Sequence, residues 1–301
     1  MRDLRLAVFA LFLAVVPASA QQAAPETSSQ QGVNTVNSSN VVVTDLASGG
    51  LTVMSPENPD FDVTARKLFS GPTADAVLSL KPLLVILSNR ADRTVVAFAV
   101  EWKVSYRNGR TNSTMTQFKY SDAIAGNPDT GGVPLEKRDD RPLPAGQERL
   151  VAKDVELGPG WEEPFYRDQL VSFAADQKRN LAEADKIEIT LDAAIFSDGQ
   201  LVGPDHSNVD QAFMTTFEAK QELFRQIVAD LDAGHTMDEA FARVTSAAQQ
   251  RPTPGCDLTG LYRRTAATEV IALRKRVGDD AVKTTFQGAI RKEPFSIKRA
   301  Q

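Results

Sequence analysis

The sequence has few of the residues from which metal sites and nucleophilic active sites are usually built. Its 301 residues include one cysteine, Cys256, and two histidines, His206 and His235. A single cysteine excludes an intrachain disulfide framework and any zinc or iron–sulfur site built from cysteine ligands. Because two histidines also leave little for histidine-based metal binding, we expect neither a metal nor a cofactor.

The chain also lacks the excess of basic residues that is typical of proteins that bind nucleic acids. Its 34 Lys+Arg residues are outnumbered by 39 Asp+Glu residues, which gives a net charge of -5. We therefore expect no nucleic-acid partner. Common catalytic motifs are absent as well: no glycine is followed by lysine, which excludes the phosphate-binding loop, and there is no HExxH, GxSxG or SxxK motif.

Residues 1–20 have the features of a secretory signal peptide. Arginines at positions 2 and 5 precede an apolar run of 11 residues, 6–16, and residues 18–20 (Ala-Ser-Ala) fit the cleavage pattern. The run is much shorter than the roughly 20 apolar residues needed to cross a bilayer. We therefore expect the signal to be removed, leaving no transmembrane span, and the protein to be exported to a periplasmic or extracellular location.

Residues 21–60 are predicted to form a polar, largely disordered arm. Their first half is rich in Gln, Ser, Asn and Thr and has no aromatic residue, so it cannot bury enough apolar surface to offset the entropy lost on ordering. A short hairpin of residues 41–43 and 51–53 is the one element expected there. Prolines at positions 56, 59 and 72 predict an irregular chain beyond it.

Residues 61–205 are predicted to form a domain of antiparallel strands. The stretch 94–106 alternates between large apolar residues, Trp102 among them, and smaller or charged ones, which is typical of a half-buried strand. The stretch 186–196 repeats this pattern. Asn108-Gly109 and Asp198-Gly199 predict type I′ hairpin turns.

Further strands are expected at residues 83–87, 148–157 and 169–174. The first of these is expected to pair antiparallel with the Trp102 strand. Six or so short strands with turns between them, and no helix between the early ones, predict an antiparallel sandwich.

The same region resembles a known kind of module. The stretches ILSNRADRTVVAFAVEWKV and PLPAGQERLVAKDVEL resemble the immunoglobulin-like β-sandwich modules common in exported bacterial proteins. The stretch KIEITLDAAIFSDGQLVGPD is similar to exported bacterial proteins with no assigned activity. The resemblance covers roughly residues 76–205 and implies the architecture alone, since the paired cysteines of antibody-type domains are missing. The expected fold class is α+β, an antiparallel immunoglobulin-like β-sandwich followed by helices.

Residues 206–295 are predicted to form a C-terminal unit of about four amphipathic helices. From Asn208 onward apolar residues recur every three to four positions, beginning with Phe213 and Phe217. Ser207 with Asp210 resembles a cap for the first helix, and Thr236 with Glu239 forms a capping box for the second. The last two helices are expected at 257–277 and 279–291. The pattern fits helices that pack on the sandwich and equally helices that form a separate unit.

The best candidate for a ligand-binding site is the segment PGWEEPFYRD, which we expect to be a loop. Its aromatic residues Trp161, Phe165 and Tyr166 lie within six positions, and Glu162 and Glu163 lie between them. Aromatic rings on a loop can stack on sugars or peptides while carboxylates bind hydroxyl groups. The alternative is that the rings close one end of the sandwich or seat the helices.

Two other regions each allow two interpretations. Arg274, Lys275 and Arg276 form a basic cluster that fits contact with an anionic lipid or polymer, and equally a solvated helix face. His206 lies in the stretch GPDHSN, where we favour a turn residue before a helix over a catalytic group.

Three functions compete at this point. We favour an exported, non-enzymatic protein that acts by binding or in assembly of the cell envelope, with a protein or glycan partner. The second function is a glycan-binding module that uses the Trp161 segment. The third is a hydrolase with an acidic site that no motif reveals. As the only cysteine, Cys256 is expected to be free or to pair between chains.

Overall fold

Two β-sheets lie face to face at the centre of the fold. The computed structural model describes residues 40–69, 71–120, 142–154, 157, 164–249, 258–290 and 295–299. In chain order the strands are β1 (Val41–Thr44), β2 (Leu51–Met54), β3 (Leu84–Asn89), β4 (Val95–Tyr106), β5 (Thr111–Lys119), β6 (Glu148–Ala152), β7 (Ala184–Phe196), β8 (Gln200–Val202) and β9 (Lys298–Arg299). The larger sheet has the order β5-β4-β7-β8-β9 with β1 also paired to β7, and the smaller sheet has the order β2-β3-β6.

Seven helices are present in the described part of the chain. In order they are α1 (Phe61–Leu68), α2 (Gly71–Leu78), α3 (Pro164–Leu181), α4 (Val209–Asp232), α5 (Met237–Gln249), α6 (Leu258–Val277) and α7 (Asp279–Ala289). The fold is therefore mixed helix and strand, and most strand pairs are antiparallel, with β1–β7 and β8–β9 the parallel ones. The four helices predicted at the C-terminal end are confirmed as α4 to α7.

The space between the sheets is filled by alternate residues of the long strands. Phe98 and Trp102 of β4 and Ile189 of β7 belong to one buried cluster with Val85 and other residues of the smaller sheet. Trp102 is fully buried, whereas Glu101 beside it is only partly covered. Because successive side chains of a strand point to opposite faces, this difference confirms the predicted alternation for the second half of β4, whereas residues 95–100 are buried on both faces.

Three helices cover the outer face of the smaller sheet. Ile86 of β3 and Leu150 of β6 pack with Phe61 of α1 and with Leu170 and Ala174 of α3. The smaller sheet is thus covered by the larger sheet on one face and by helices on the other. This double coverage explains why every residue of β3 is buried.

The helices on this face correct two predictions. Residues 61–78, predicted to be irregular, contain α1 and α2, and the strand predicted at 169–174 is wrong because these residues lie inside α3. The buried residues of α3, Leu170, Ala174 and Leu181, recur at helical spacing. A six-residue window is too short to distinguish this spacing from a buried strand.

The outer face of the larger sheet is covered by the first half of α4. Ala97 and Ala99 of β4 and Ala193 of β7 share a buried cluster with Phe213 and Phe217. The second half of α4 joins a separate buried cluster with residues of α5, α6 and α7. The helical region is therefore tied to the sheet through one continuous helix.

Two of the predicted strand pairings are wrong. Residues 83–87 do not pair with β4, because β3 pairs with β2 and β6 in the smaller sheet. β1 and β2 do not form a hairpin, because β1 pairs with β7 and β2 pairs with β3. Strands were expected at both of these places within the arm predicted at 21–60, so the strands are present and only their pairing is wrong. The immunoglobulin-like resemblance itself stays a prediction.

The hairpins predicted at Asn108-Gly109 and Asp198-Gly199 are present, but their turn type differs. In both loops the glycine N–H donates to the carbonyl three residues earlier at 2.9 Å. The two glycines have φ of 81° and 84°, whereas the residue before each glycine has no positive φ. A type I′ turn needs positive φ at both central residues, so each loop is instead a type I turn followed by a left-handed glycine.

Candidate functional site

Part of the aromatic segment predicted to be a binding loop is helical. Trp161, Glu162 and Glu163 lie outside the described residues, whereas Phe165 and Tyr166 are the second and third residues of α3. The predicted loop is therefore wrong for its second half. The helix begins at a proline, which lacks an N–H and is well suited to the first helical position.

A groove of about 470 Å³ lies between α2 and the same helix, α3. We call it the α2–α3 groove, and its lining combines small apolar residues with three polar ones: Asp75, Ala76, Ser79, Val171, Ala174, Ala175 and Lys178. Val171 is 50% exposed, so its apolar surface is open to a ligand. An apolar floor with a few polar groups at the edge is the arrangement typical of sites for small organic ligands.

One of the polar residues at this groove, Asp75, forms an ion pair with a residue of α1. Arg66 of α1 approaches Asp75, with 2.8 Å between Nη2 and Oδ1. Both side chains are more than half exposed, so this ion pair contributes little to stability. The Asp75 carboxylate at the α2–α3 groove therefore has a cation beside it but is not firmly held by it.

A second polar cluster lies where β7 and β8 meet the start of α4. The buried carboxylate of Asp192 accepts three hydrogen bonds, from the His206 N–H at 3.1 Å, from His206 Nδ1 at 3.1 Å and from the Ser207 N–H at 2.8 Å. Burial alone would raise the pKa of Asp192, but the hydrogen bonds from Ser207 and His206 outweigh it and lower that pKa. The His206 side chain is 80% exposed, so an anchored carboxylate holds an accessible imidazole.

Asp205 caps α4 in place of the predicted Ser207–Asp210 arrangement. Its Oδ1 accepts the N–H of Val209 at 2.7 Å, and its backbone is left-handed with φ of 57°. Its Oδ2 is buried and has no hydrogen-bond partner among the described residues. Burial, reinforced by the neighbouring carboxylate of Asp210, raises the pKa of Asp205 to about 6.

Sequence analysis missed both buried aspartates. Asp192 lies where the pairing of β7 with β4 shifts by one residue, and its carboxylate is covered by the segment before α4, which alternation along the strand does not predict. The signal that was available is the stretch GPDHSN directly before an amphipathic helix, because an aspartate there is a common cap. The turn assigned to His206 is confirmed.

A third cluster joins the larger sheet to the helical region. Lys220 of α4 is buried and pairs with Glu269 of α6, with 2.5 Å between Nζ and Oε2. The Lys119 ammonium at the end of β5 lies 4.8 Å from the ring centroid of Tyr262 on α6. Burial lowers the pKa of Lys119, partly opposed by Glu269, and burial raises the pKa of Tyr262. These contacts connect three elements and are best understood as structural.

The predicted basic cluster is partly neutralised within the protein. Arg274 Nε lies 2.7 Å from Asp279 Oδ1, and Arg274 Nη2 lies 2.8 Å from Asp238 Oδ1. The guanidinium also lies 4.7 Å from the centroid of the Phe241 ring. Because Arg274 is engaged by two carboxylates, Lys275 is the more exposed cation of the cluster, and contact with an anionic surface stays a prediction.

Comparison with known proteins identifies no relative: no family model matches the chain, and no curated protein or solved structure matches it. None of the helices in the described ranges combines the length and apolarity needed to cross a membrane. The same ranges contain no group of three or more His, Cys, Asp or Glu side chains placed to hold a metal ion. The signal peptide at residues 1–20 and Cys256 lie outside the described residues, so both stay predictions.

Proposed function

We propose that the chain is an exported, non-enzymatic protein that acts by binding a ligand at the α2–α3 groove. The observation that carries this proposal is the groove itself, an open depression of about 470 Å³ lined by apolar and polar side chains of α2, α3 and the residue after α2. Export is proposed from the signal peptide pattern, and a sandwich that presents a binding surface agrees with the immunoglobulin-like resemblance.

The predicted aromatic site and the groove lie along the same helix. α3 begins at Pro164, three positions after Trp161, and Val171 follows about 10 Å further along the helix axis. Trp161 precedes the first residue of α3 in the sequence and lies outside the described residues, so a shared binding region is part of the proposal.

The chemistry of the groove favours a sugar or a similar amphipathic molecule. A sugar ring has an apolar face, which suits Val171 and the alanines, and hydroxyl groups, which suit Asp75, Ser79 and Lys178. Glycan sites commonly combine such groups with an aromatic ring that stacks on the sugar. We therefore place the glycan-binding function, with Trp161 as the stacking residue, ahead of a role in envelope assembly.

The test is retention of the purified protein on an array of immobilised glycans. We expect Val171→Asp to reduce retention at least tenfold, because a charge then faces the apolar floor. Val63→Asp is the matched control, since Val63 on α1 is also exposed, at 57%, and does not line the groove. Both variants should keep the wild-type thermal midpoint.

Two outcomes would contradict the proposal. Equal retention of the two valine variants would show that the groove is not the site. A large fall in the thermal midpoint of Trp161→Ala, in place of lost retention, would show that the aromatic segment is part of the core.

A hydrolase is the second candidate, and the Asp192–His206 pair is the observation that favours it. An exposed imidazole whose Nδ1 is held by a buried carboxylate can accept a proton from water or a substrate hydroxyl. A panel of generic ester, peptide and glycoside substrates tests this function. Turnover that is lost in His206→Gln would establish it, and turnover unchanged in that variant would exclude His206 as the base.

A further inference from the structure

The C-terminal segment Phe295–Arg299 lies along the free edge of β8. β9 pairs in parallel with β8, and the N–H of Lys298 donates to the carbonyl of Gly199 at 2.9 Å. The pairing is only two residues long, so the backbone by itself holds the segment weakly. Side chains at both of its ends supply the rest of the attachment.

The first end of the segment is held by aromatic contacts. The ring of Phe295 lies edge-on to Phe213 and Phe217 of α4, with centroid distances of 6.0 and 5.8 Å. Ile297 packs against the same buried cluster. Edge-to-face pairs at these distances are favourable beyond the area they bury.

The middle of the segment passes so close to the sheet that only a glycine fits at position 199. A Cβ atom added to Gly199 would lie 2.2 Å from the backbone oxygen of Ser296. No side chain could be accommodated there without moving the segment. The turn between β7 and β8 thus leaves space for a peptide backbone at this edge.

At the second end of the segment, the side chain of Arg299 lies near two carboxylates. Arg299 Nη2 lies 4.0 Å from Asp205 Oδ2 and 3.9 Å from Asp210 Oδ2. Asp205 Oδ2 is the buried oxygen that lacks a hydrogen-bond partner among the described residues. Two carboxylates, one of them buried, thus lie at the outer limit of ion-pair distance from the Arg299 guanidinium.

The three attachment points follow a strand pattern. Phe295, Ile297 and Arg299 are alternate residues, and alternate residues of an extended chain point to the same side. We use the name β8 groove for the surface formed by the edge of β8, the rings of Phe213 and Phe217, and the carboxylates of Asp205 and Asp210. This groove fits a peptide with an aromatic, an aliphatic and a cationic residue at every second position.

We propose that the β8 groove is a peptide-docking site, and that the C-terminal segment of a second copy of this chain exchanges into it. The segment that fits the groove is present in every copy, and the charge of its Arg299 is complementary to the carboxylates of Asp205 and Asp210. Arg299 remains 65% exposed in place, so little charged surface must be rearranged for the segment to leave. Reciprocal exchange closes a symmetric dimer. This inference is independent of the α2–α3 groove.

The test measures binding of a fluorescent peptide of residues 293–301 to the full chain. One form of the chain carries both Phe295→Ala and Arg299→Ala, which weaken the attachment of its own C-terminal segment. We expect the peptide to bind this double variant at least tenfold more tightly than it binds wild type, because the resident segment competes. A peptide with Ser and Glu at the Phe295 and Arg299 positions should bind at least tenfold more weakly.

Two further variants of the groove locate the site. Asp210→Lys, added to the double variant, should reduce peptide binding at least tenfold, whereas Glu218→Lys should not. Glu218 is an exposed residue of the same helix, so the two changes alter net charge equally. Equal effects, or no binding of the peptide to any variant, would overturn the proposal.

The second copy is tested by light scattering of wild type over a range of concentrations with reductant present, which removes dimers linked through Cys256. We expect a concentration-dependent dimer that is lost in Phe295→Ala. Peptide binding without any such dimer would overturn the second copy as the occupant of the β8 groove.

Discussion

At the scale of single residues, Trp102 shows how strongly the core depends on one side chain. It is fully buried between the sheets, and its indole Nε1 has no hydrogen-bond partner among the described residues. We expect Trp102→Ala to lower the free energy of unfolding by about 3–5 kcal/mol, as large core truncations do. Glu101→Ala, one position along the strand, should cost well under about 1 kcal/mol. Urea unfolding curves measure both, and equal losses would contradict the inward orientation of Trp102.

Asp205 makes stability depend on pH in an unusual direction. Because its pKa is raised to about 6, the folded protein binds a proton more tightly than the unfolded chain does. The free energy of unfolding therefore gains from this group as pH falls from about 7 toward 4, and the gain is absent above pH 7. The attraction of exposed Arg299 at 4.0 Å is too weak to reverse this effect.

Asp205→Asn tests this sign. Asparagine keeps an oxygen for the Val209 N–H and tolerates a left-handed backbone, while it removes the buried charge. We expect the variant to be about 1–3 kcal/mol more stable than wild type at pH 7.5, with the two converging near pH 4. Glu218→Gln, at an exposed position, should run parallel to wild type in urea unfolding from pH 4 to 8. Parallel curves for the Asp205 variant too would contradict the assignment.

At the scale of elements, helices and strands with a long periodic pattern could be predicted from the sequence. Short apolar stretches that fit a helix and a strand equally well could not be assigned. The strand predicted from the alternation of residues 94–106 and the long amphipathic helix α4 are both confirmed, although exposure alternates only in the second half of β4. The short apolar stretch inside α3 fits either type of element, and α3 is a helix because its buried residues pack against the smaller sheet. Tertiary packing of this kind is not visible in a six-residue window.

The capping box of α5 is an element-scale feature that can be measured. Thr236 and Glu239 satisfy each other's backbone N–H groups at the start of the helix. We expect Thr236→Ala to lower the free energy of unfolding by about 1 kcal/mol. Thr268→Ala is the matched control: its hydroxyl bonds to a carbonyl within α6, and alanine is the better helix former there. A loss in the control as large as in Thr236→Ala, by thermal unfolding, would contradict a capping role.

At the scale of the whole molecule, the sequence predicts the layers better than their connections. Two facing sheets and a helical C-terminal region follow from periodicity, but strand order depends on which faces are covered. β3 was expected beside β4 because they are neighbours in the chain, yet β3 is apolar on both faces and lies at the centre of the smaller sheet. The candidate site was predicted at Trp161. The α2–α3 groove was not predicted because neither of its helices was predicted: prolines favoured an irregular chain at α2, and the apolar stretch inside α3 was too short to distinguish a helix from a strand.

One element decides whether the sheets and the helical region unfold together. α4 contributes Phe217 to the cluster on the larger sheet and Phe224 to the cluster of the C-terminal helices, so it couples the two cores. We expect a single unfolding transition, with far-UV circular dichroism, which reports helices, coinciding with Trp102 fluorescence, which reports the sheet core. The fluorescence measurement uses a Trp161→Phe background so that one tryptophan is observed.

Glu218→Pro tests this coupling, because Glu218 is exposed and lies between the two phenylalanines. Proline removes one backbone hydrogen bond and clashes with the preceding turn, so we expect a loss of about 3 kcal/mol. We also expect the two transitions to separate, since the helix no longer transmits the order of one core to the other. Glu218→Ala keeps the helix intact and should leave them coincident. Coincident transitions in the proline variant would show that contacts outside α4, such as the Lys119–Tyr262 contact, are sufficient to couple the two cores.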